Sequence, residues 1–99
     1  MEVKLVNRGT TGDLLLSGRL DSNTSPEVET IMDDVCERFD NVVMDFADLS
    51  YISSAGLRIL KKYHIVMNKK GGALTIRHVN DTIMEVFEMT GFVSFLNIE

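Results

Sequence analysis

The sequence predicts a single α/β domain with a mixed, mostly parallel sheet of four to five strands, an N-terminal hairpin and three helices. Three observations favour this class. Apolar residues recur at helical spacing in three segments, short apolar runs typical of strands lie between those segments, and 99 residues suit one domain. The order is β-β-α-β-α-β-α-β, in which helices cross over between parallel strands and the hairpin adds an antiparallel edge.

The first two strands are predicted at residues 2–7, where polar and apolar side chains alternate weakly, and at residues 14–16, which are three leucines. Residues 8–13 read Arg-Gly-Thr-Thr-Gly-Asp, a composition typical of turns. Ser17-Gly18 is expected to end the second strand. Two short strands around a glycine-containing turn predict an antiparallel hairpin.

The first helix is predicted to begin near residues 24–27, Thr-Ser-Pro-Glu, which suit a capping box with Pro in the first turn. The sequence leaves open whether Thr24 or Ser25 is the cap. Six apolar residues then form one helical stripe: Val28, Ile31, Met32, Val35, Cys36 and Phe39.

The remaining elements follow from the same patterns. The run at 41–46 is apolar and ends in a carboxylate, as in a strand covered on both faces. Gly71-Gly72 is expected to end the helix at 55–70. In chain order the prediction is a strand at 41–46, a helix at 55–70, a strand at 73–79, a helix from Asn80 or Asp81 to Gly91, and an extended segment at 92–98.

The charges are unevenly distributed along the chain. The formal net charge is −5, from 15 acids and 10 bases, which argues against direct nucleic-acid binding. Residues 21–48 hold nine acids and one base, whereas residues 58–78 hold six bases and no acid. This division predicts an acidic side and a basic side.

Several classes of protein are not expected. Cys36 is the single cysteine, so neither an internal disulfide nor a cysteine metal cluster is expected. No apolar run approaches the roughly 20 residues that span a bilayer, and the N-terminus lacks the features of a signal peptide. The sequence therefore predicts a cytoplasmic protein without membrane insertion.

Two polar junctions between strand and helix, residues 18–25 and 45–57, are candidate sites, because ligands and partners meet such sheets where strands lead into helices. Ser53 and Ser54 stand directly before a helix, and the simplest interpretation is that one is an N-cap worth about 1 kcal/mol. Two serines are redundant for one cap. Gly56 costs up to about 1 kcal/mol relative to Ala in a helix, yet it leaves the backbone open to close approach.

Residues 48–57, Asp-Leu-Ser-Tyr-Ile-Ser-Ser-Ala-Gly-Leu, resemble the signature of STAS domains, in particular the bacterial anti-sigma factor antagonists. Residues 18–24, Gly-Arg-Leu-Asp-Ser-Asn-Thr, resemble the first loop of that family, G-x-L-D-x-x-T. Residues 71–74 and 87–92 match later segments. The resemblance covers nearly the whole chain in order.

This resemblance implies a partner-switching function. The unmodified antagonist binds an anti-sigma factor that is also a serine kinase, and the sigma factor is released. The kinase phosphorylates one serine of the antagonist, the complex separates, and a phosphatase resets it. ATP, Mg²⁺ and the catalytic base would belong to the kinase, so no cofactor and no enzymatic activity are expected of this chain.

The family places the phosphorylated serine two positions before the glycine, which is Ser54 in this sequence. Two positions depart from the family pattern: Ser53 stands where the family has Asp, and Ala55 where it has Ser or Thr. Ser53 is therefore a competing acceptor. The expected partner surface comprises Asp21, Ser22, Asn23, Thr24, Ser53, Ser54, Ala55 and Gly56.

Carboxylates are expected to repel the added phosphate. We expect Asp21, Asp45 and Asp48 to lie at the same edge of the sheet, so that phosphorylation of Ser54 switches binding off through local charge. For Asp21 the alternative is a purely local role in an Asx turn before the first helix.

Other functions remain open at this point. A STAS scaffold, or an accessory subunit of a lipid or anion transport system, would leave the serine unmodified. A small phosphocarrier would use Cys36, His64 or His78, although Cys36 lies on an apolar helix stripe typical of a buried thiol. Many family members carry a further helix after the last strand. Without it, Phe92, Phe95 and Leu96 are expected to be apolar surface, and the protein is a monomer or a weak dimer.

Overall fold

The computed structural model describes residues 1–99 and contains five strands and three α-helices, as predicted. The sheet order is β1-β2-β3-β4-β5, which follows the chain. The elements are β1 (Glu2–Arg8), β2 (Thr11–Leu20), α1 (Ser25–Arg38), β3 (Asn41–Ile52), α2 (Ser54–Lys69), β4 (Ala73–Arg77), α3 (Asp81–Thr90), a 3₁₀ turn (Phe92–Ser94) and β5 (Asn97–Ile98).

The pairing of the strands confirms the predicted topology. β1 and β2 form the antiparallel hairpin, and their turn holds Gly9 at φ 77°, which glycine adopts without strain. β2, β3, β4 and β5 pair in parallel. The helices and strands share one apolar core. All three helices therefore pack on one face of the sheet, as the usual right-handed crossover between successive parallel neighbours requires.

The two faces of β3 differ in character. Val42, Met44 and Phe46 are fully buried in the shared core. Side chains alternate between the faces of a strand, so Val43 and Asp45 lie on the face opposite the helices.

Both strands that lead to the candidate site are longer than predicted. β2 continues through Ser17 and Gly18 to Leu20, and β3 continues past Phe46 to Ile52. The β2–β3 ladder shifts register twice, once between Leu15 and Ser17 and again between Gly18 and Arg19. Gly18 has φ 108°, so it accommodates the second irregularity, and pairing resumes where the sequence indicates a turn.

The expected capping box at α1 is wrong. Thr24 is the N-cap, but its hydroxyl makes no capping bond and donates instead to the carbonyl oxygen of Arg19 at 2.8 Å. The hydroxyl also accepts a hydrogen bond from the backbone N–H of Asp21 at 3.0 Å. These contacts fix the loop before the helix rather than the first turn of the helix.

The C-terminal segment also differs from the prediction of an extended run over 92–98. Gly91 adopts a left-handed conformation, and a 3₁₀ turn at Phe92–Ser94 follows it. Only Asn97 and Ile98 pair with β4. Leu96 is buried, contrary to expectation, whereas Phe95 is exposed and contacts the ring of Phe92. No helix in the structure combines the length and apolar character needed to cross a membrane.

Candidate functional site

The ends of β2 and β3 bring the two candidate junctions together. Leu20 lies opposite Ile52 in the parallel ladder, and the backbone N–H of Ser53 donates to the carbonyl oxygen of Leu20 at 2.9 Å. The loop of residues 21–24 therefore leaves the sheet beside the start of α2. Adjacency of the two predicted segments is a direct consequence of this backbone pairing.

Asp21 organises the loop as an Asx turn. Its Oδ1 accepts hydrogen bonds from the backbone N–H groups of Asn23 at 3.0 Å and Thr24 at 3.2 Å. Partial burial would raise the pKa of Asp21, but those N–H groups, the Thr24 hydroxyl and the guanidinium of Arg19 outweigh it and lower the pKa. The local role considered for Asp21 is thus present, and Ser22 and Asn23 are exposed beside it.

Ser54 and Ser53 differ in accessibility. Ser54 is the first residue of α2 and is exposed. Ser53 is the N-cap in extended conformation, but its Oγ is buried without a hydrogen-bond partner and makes no capping bond. Its carbonyl oxygen accepts the N–H of Leu57 at 3.0 Å. Neither serine hydroxyl caps the helix, so the simplest interpretation of the pair does not hold.

Ala55 and Gly56 are buried, in contrast to Ser54. A Cβ atom at position 56 would lie 2.7 Å from Ile52 Cγ1 and 2.8 Å from Leu20 Cγ. The glycine therefore allows α2 to start against the ends of β2 and β3. The close approach that the sequence predicted at Gly56 is therefore made by the protein's own strands.

Arg19 and Tyr51 form a second exposed feature at this edge that sequence reasoning missed. They pair across β2 and β3, and the guanidinium of Arg19 lies 4.1 Å from the centroid of the Tyr51 ring. Tyr51 is 39% exposed. Arg19 Nε also lies 3.7 Å from Asp21 Oδ2. The two residues become neighbours only through the shifted register.

The expectation that Asp45 and Asp48 lie beside Ser54 is wrong. Asp45 precedes Ile52 by seven residues, which is roughly 20 Å along a strand at about 3.3 Å per residue. Asp48 lies opposite Ser17 and lines a surface depression with Glu2 and Lys4. Of the three carboxylates, only Asp21 lies at the edge where α2 starts.

Asp45 belongs to a charged network on the face of the sheet opposite the helices. Arg77 donates to Asp45 at 3.0 Å and to Asp13 at 3.4 Å, while Arg8 makes two bonds of 2.7 Å to Asp13. His78 contacts Asp45 through Nδ1 at 3.0 Å. Burial would raise the pKa of Asp45, but bonds from the Ala47 N–H, His78 and Arg77 lower it.

The other reactive side chains lie away from the site. Cys36 is buried in the core, and burial raises the pKa of its thiol to about 11. His64 packs against Phe95, and His78 is held by Asp45. No cluster of three or more potential metal-ligating side chains is present. The surface depressions of the molecule do not include Ser54.

The chain is similar to known proteins both in sequence and in fold. A family model described as STAS domain matches residues 3–99. The anti-sigma F factor antagonist of Paenibacillus polymyxa is 29% identical over 85 residues, which span 84% of this chain and 73% of that protein.

Solved structures of SpoIIAA from Bacillus share the fold. The unphosphorylated form of this anti-sigma factor antagonist superposes with a TM-score of 0.79 at 15% identity, covering 99% of this chain and 87% of that one. The phosphorylated form superposes with a TM-score of 0.77 at 16% identity, covering 99% and 91%.

Proposed function

Because this chain belongs to the STAS domain family, we propose that it is an anti-sigma factor antagonist, a non-enzymatic protein that binds an anti-sigma factor and thereby releases a sigma factor. The name of the Paenibacillus relative supports this role. The observation that supports this role is that Ser54 is exposed at the start of α2. The backbone hydrogen bond between Ser53 and Leu20 holds the start of α2 next to the loop that contains Asp21.

We further propose that phosphorylation of Ser54 switches binding off. The accessibility of Ser54 supports this choice, since a kinase must reach the hydroxyl, and Ser53 Oγ is buried. In the transfer, Ser54 Oγ forms a bond to the γ-phosphorus of ATP, the bond to the leaving oxygen of ADP breaks, and the hydroxyl proton passes to a base of the kinase. A phosphatase would reset the protein by hydrolysis.

The proposed partner surface combines the exposed loop with the start of α2. Ser22, Asn23 and Ser54 are exposed, so they are available for direct contact, whereas Ala55 and Gly56 are buried and shape the surface from below. A phosphate carries about −1.5 to −2 charge at pH 7. Added at Ser54, it would put charge and bulk into a surface that fits a hydroxyl, with Asp21 as the neighbouring carboxylate.

The test is phosphorylation of the purified protein by its cognate anti-sigma factor kinase, followed by mass spectrometry of the peptides. We expect label on Ser54 and loss of label in Ser54→Ala. Ser53→Ala is the matched control and should be labelled like the wild type. Label that persists in Ser54→Ala would refute the assignment. A protein that binds no anti-sigma factor and takes no label would instead favour a STAS scaffold.

A further inference from the structure

We propose that Arg58 is the internal counter-charge of phosphorylated Ser54, so that the phosphate is held on α2 in the switched-off state. This inference rests on the proposed phosphorylation of Ser54. The inference concerns a residue outside the predicted partner surface. It is based on the four-residue spacing between Ser54 and Arg58 and on the absence of Arg58 from the ion pairs of the structure.

The spacing along α2 places the two side chains together. Ser54 is the first residue of α2 and Arg58 lies four residues later, and both are exposed. Residues at i and i+4 are neighbours on a helix, with Cβ atoms about 5–6 Å apart. Helical side chains tilt toward the N-terminus. A long side chain at position 58 can therefore reach back to Ser54, where three phosphate oxygens would accept its N–H groups.

Arg58 is also uncommitted. It takes part in none of the ion pairs of the structure. Arg58 lines a surface groove with Glu29, and that carboxylate is already bonded to Lys62 at 3.2 Å. By contrast, Lys70 at the other end of the helix donates to the carbonyl oxygens of Cys36 and Phe39.

The other arginine near this edge is already engaged. Arg19 stacks on Tyr51 and lies 3.7 Å from Asp21. A phosphate on Ser54 would have to draw Arg19 away from both contacts, whereas Arg58 could bind the phosphate without giving up an ion pair. Of the two, Arg58 is the partner that the contacts favour.

The ion pair would stabilise the dianionic phosphate. The second pKa of phosphoserine is about 6, and a neighbouring cation favours the more charged form and lowers that pKa. Part of the added charge is then neutralised within the helix, so the bulk of the phosphate contributes to the loss of partner binding together with the remaining charge.

The experiment uses full-length protein with phosphoserine introduced at position 54 during translation, which makes it independent of any kinase. The pH titration of the phosphorus NMR signal gives the phosphate pKa directly. We expect Arg58→Ala to raise this pKa by about 0.3–0.7 unit, the range for one partly exposed ion pair. Arg58→Lys should retain most of the wild-type value.

Lys69→Ala is the matched control. Lys69 is exposed on the same helix and its loss removes the same charge, but it lies fifteen residues from Ser54, or about 22 Å at 1.5 Å per residue. The pKa of the phosphate on Ser54 in the Lys69→Ala variant should equal the wild-type value. Equal values in the wild type and Arg58→Ala would overturn the inference, as would an equal rise in both alanine variants. Neither result would bear on whether the kinase labels Ser54, which the labelling experiment decides separately.

Discussion

Gly56, in the first turn of α2, packs so closely against Leu20 at the end of β2 that a Cβ atom at position 56 would lie 2.8 Å from Leu20 Cγ and 3.1 Å from its carbonyl oxygen. Helix propensity favours Ala over Gly by about 1 kcal/mol, so propensity by itself predicts that Gly56→Ala stabilises the protein. The contact predicts the opposite, because Leu20 is fully buried and cannot move aside.

We therefore expect Gly56→Ala to lower the free energy of unfolding by about 1–3 kcal/mol, the usual cost of overpacking. Urea denaturation followed by circular dichroism measures it. Lys61→Ala, at an exposed position of the same helix, should leave stability within about 0.5 kcal/mol of the wild type. A Gly56→Ala protein that is as stable as the wild type would show that α2 can lift from Leu20 without cost.

The second prediction concerns the proposed binding surface. Ser54→Asp puts a negative charge at the start of α2, and a charge that is buried in an interface without a partner is costly. We expect affinity for the anti-sigma factor to fall at least about tenfold, or about 1.4 kcal/mol, while Ser54→Ala binds like the wild type. Isothermal titration calorimetry measures both.

Ser94→Asp serves as the control for that experiment, since Ser94 is exposed in the 3₁₀ turn, far along the chain from the site. It should bind normally. Equal losses of affinity in Ser54→Asp and Ser94→Asp would indicate a general effect of net charge, and the proposed surface would be wrong.

Tyr63 joins α1 to α2 and gives a third prediction. Its buried hydroxyl contacts the carbonyl oxygen of Glu29 at 3.0 Å and the carboxylate of Asp33. We expect Tyr63→Phe to cost about 1–2 kcal/mol at pH 7. Lys62→Ala breaks an exposed ion pair between the same helices and should cost less than about 1 kcal/mol. Equal costs measured by urea denaturation would contradict this ranking.

The same tyrosine predicts a dependence on alkaline pH. Burial, and then the bond to Asp33, raise the pKa of Tyr63. The stability from this group is fully present below the pKa of an unfolded tyrosine, about 10, and is lost as pH rises above it. The wild type should therefore lose more stability than Tyr63→Phe between pH 9 and pH 11. Parallel curves for the two proteins would count against the assignment.

Asp45 predicts the opposite dependence. Its pKa is lowered in the folded protein, so its stabilisation is present above the unfolded value of about 3.9 and is lost as pH falls through the folded pKa. Asp45→Asn should cost about 1–3 kcal/mol at pH 7 and should flatten the loss of stability in acid. Denaturation curves at pH 7, 5 and 3 test this. If Asp45→Asn lost as much stability between pH 7 and pH 3 as the wild type does, this prediction would be refuted.

Cys36 offers a simple test of the buried core. Burial raises its pKa to about 11, and only the thiolate reacts readily with disulfide reagents. The folded protein should react with Ellman's reagent far more slowly at pH 8 than the protein in denaturant. Rapid reaction of the folded protein would show that the thiol is accessible and would revive a phosphocarrier role for Cys36.

The sequence predicted the elements well where local patterns are sufficient. The apolar stripe from Val28 to Phe39 and the run at 41–46 identified α1 and β3, since the periodicity of burial is a property of neighbouring residues. It failed at the ends of β2 and β3 and at Phe92–Ser94. Gly18 predicted a turn that would end β2, but in the structure it lies at a bulge. Whether a strand continues past a bulge depends on the strand beside it.

The sequence by itself determined the fold class, the order of elements and the family resemblance centred on Ser53, Ser54 and Gly56, because these depend on composition and spacing along the chain. Only the tertiary structure decided that Ser54 is exposed while Ser53 Oγ is buried. It also decided that Asp21 lies at the edge where α2 starts, whereas Asp45 lies in a separate network. The physical reason is register: each shift in the β2–β3 ladder changes which residues are neighbours, and register is set by contacts between distant parts of the chain.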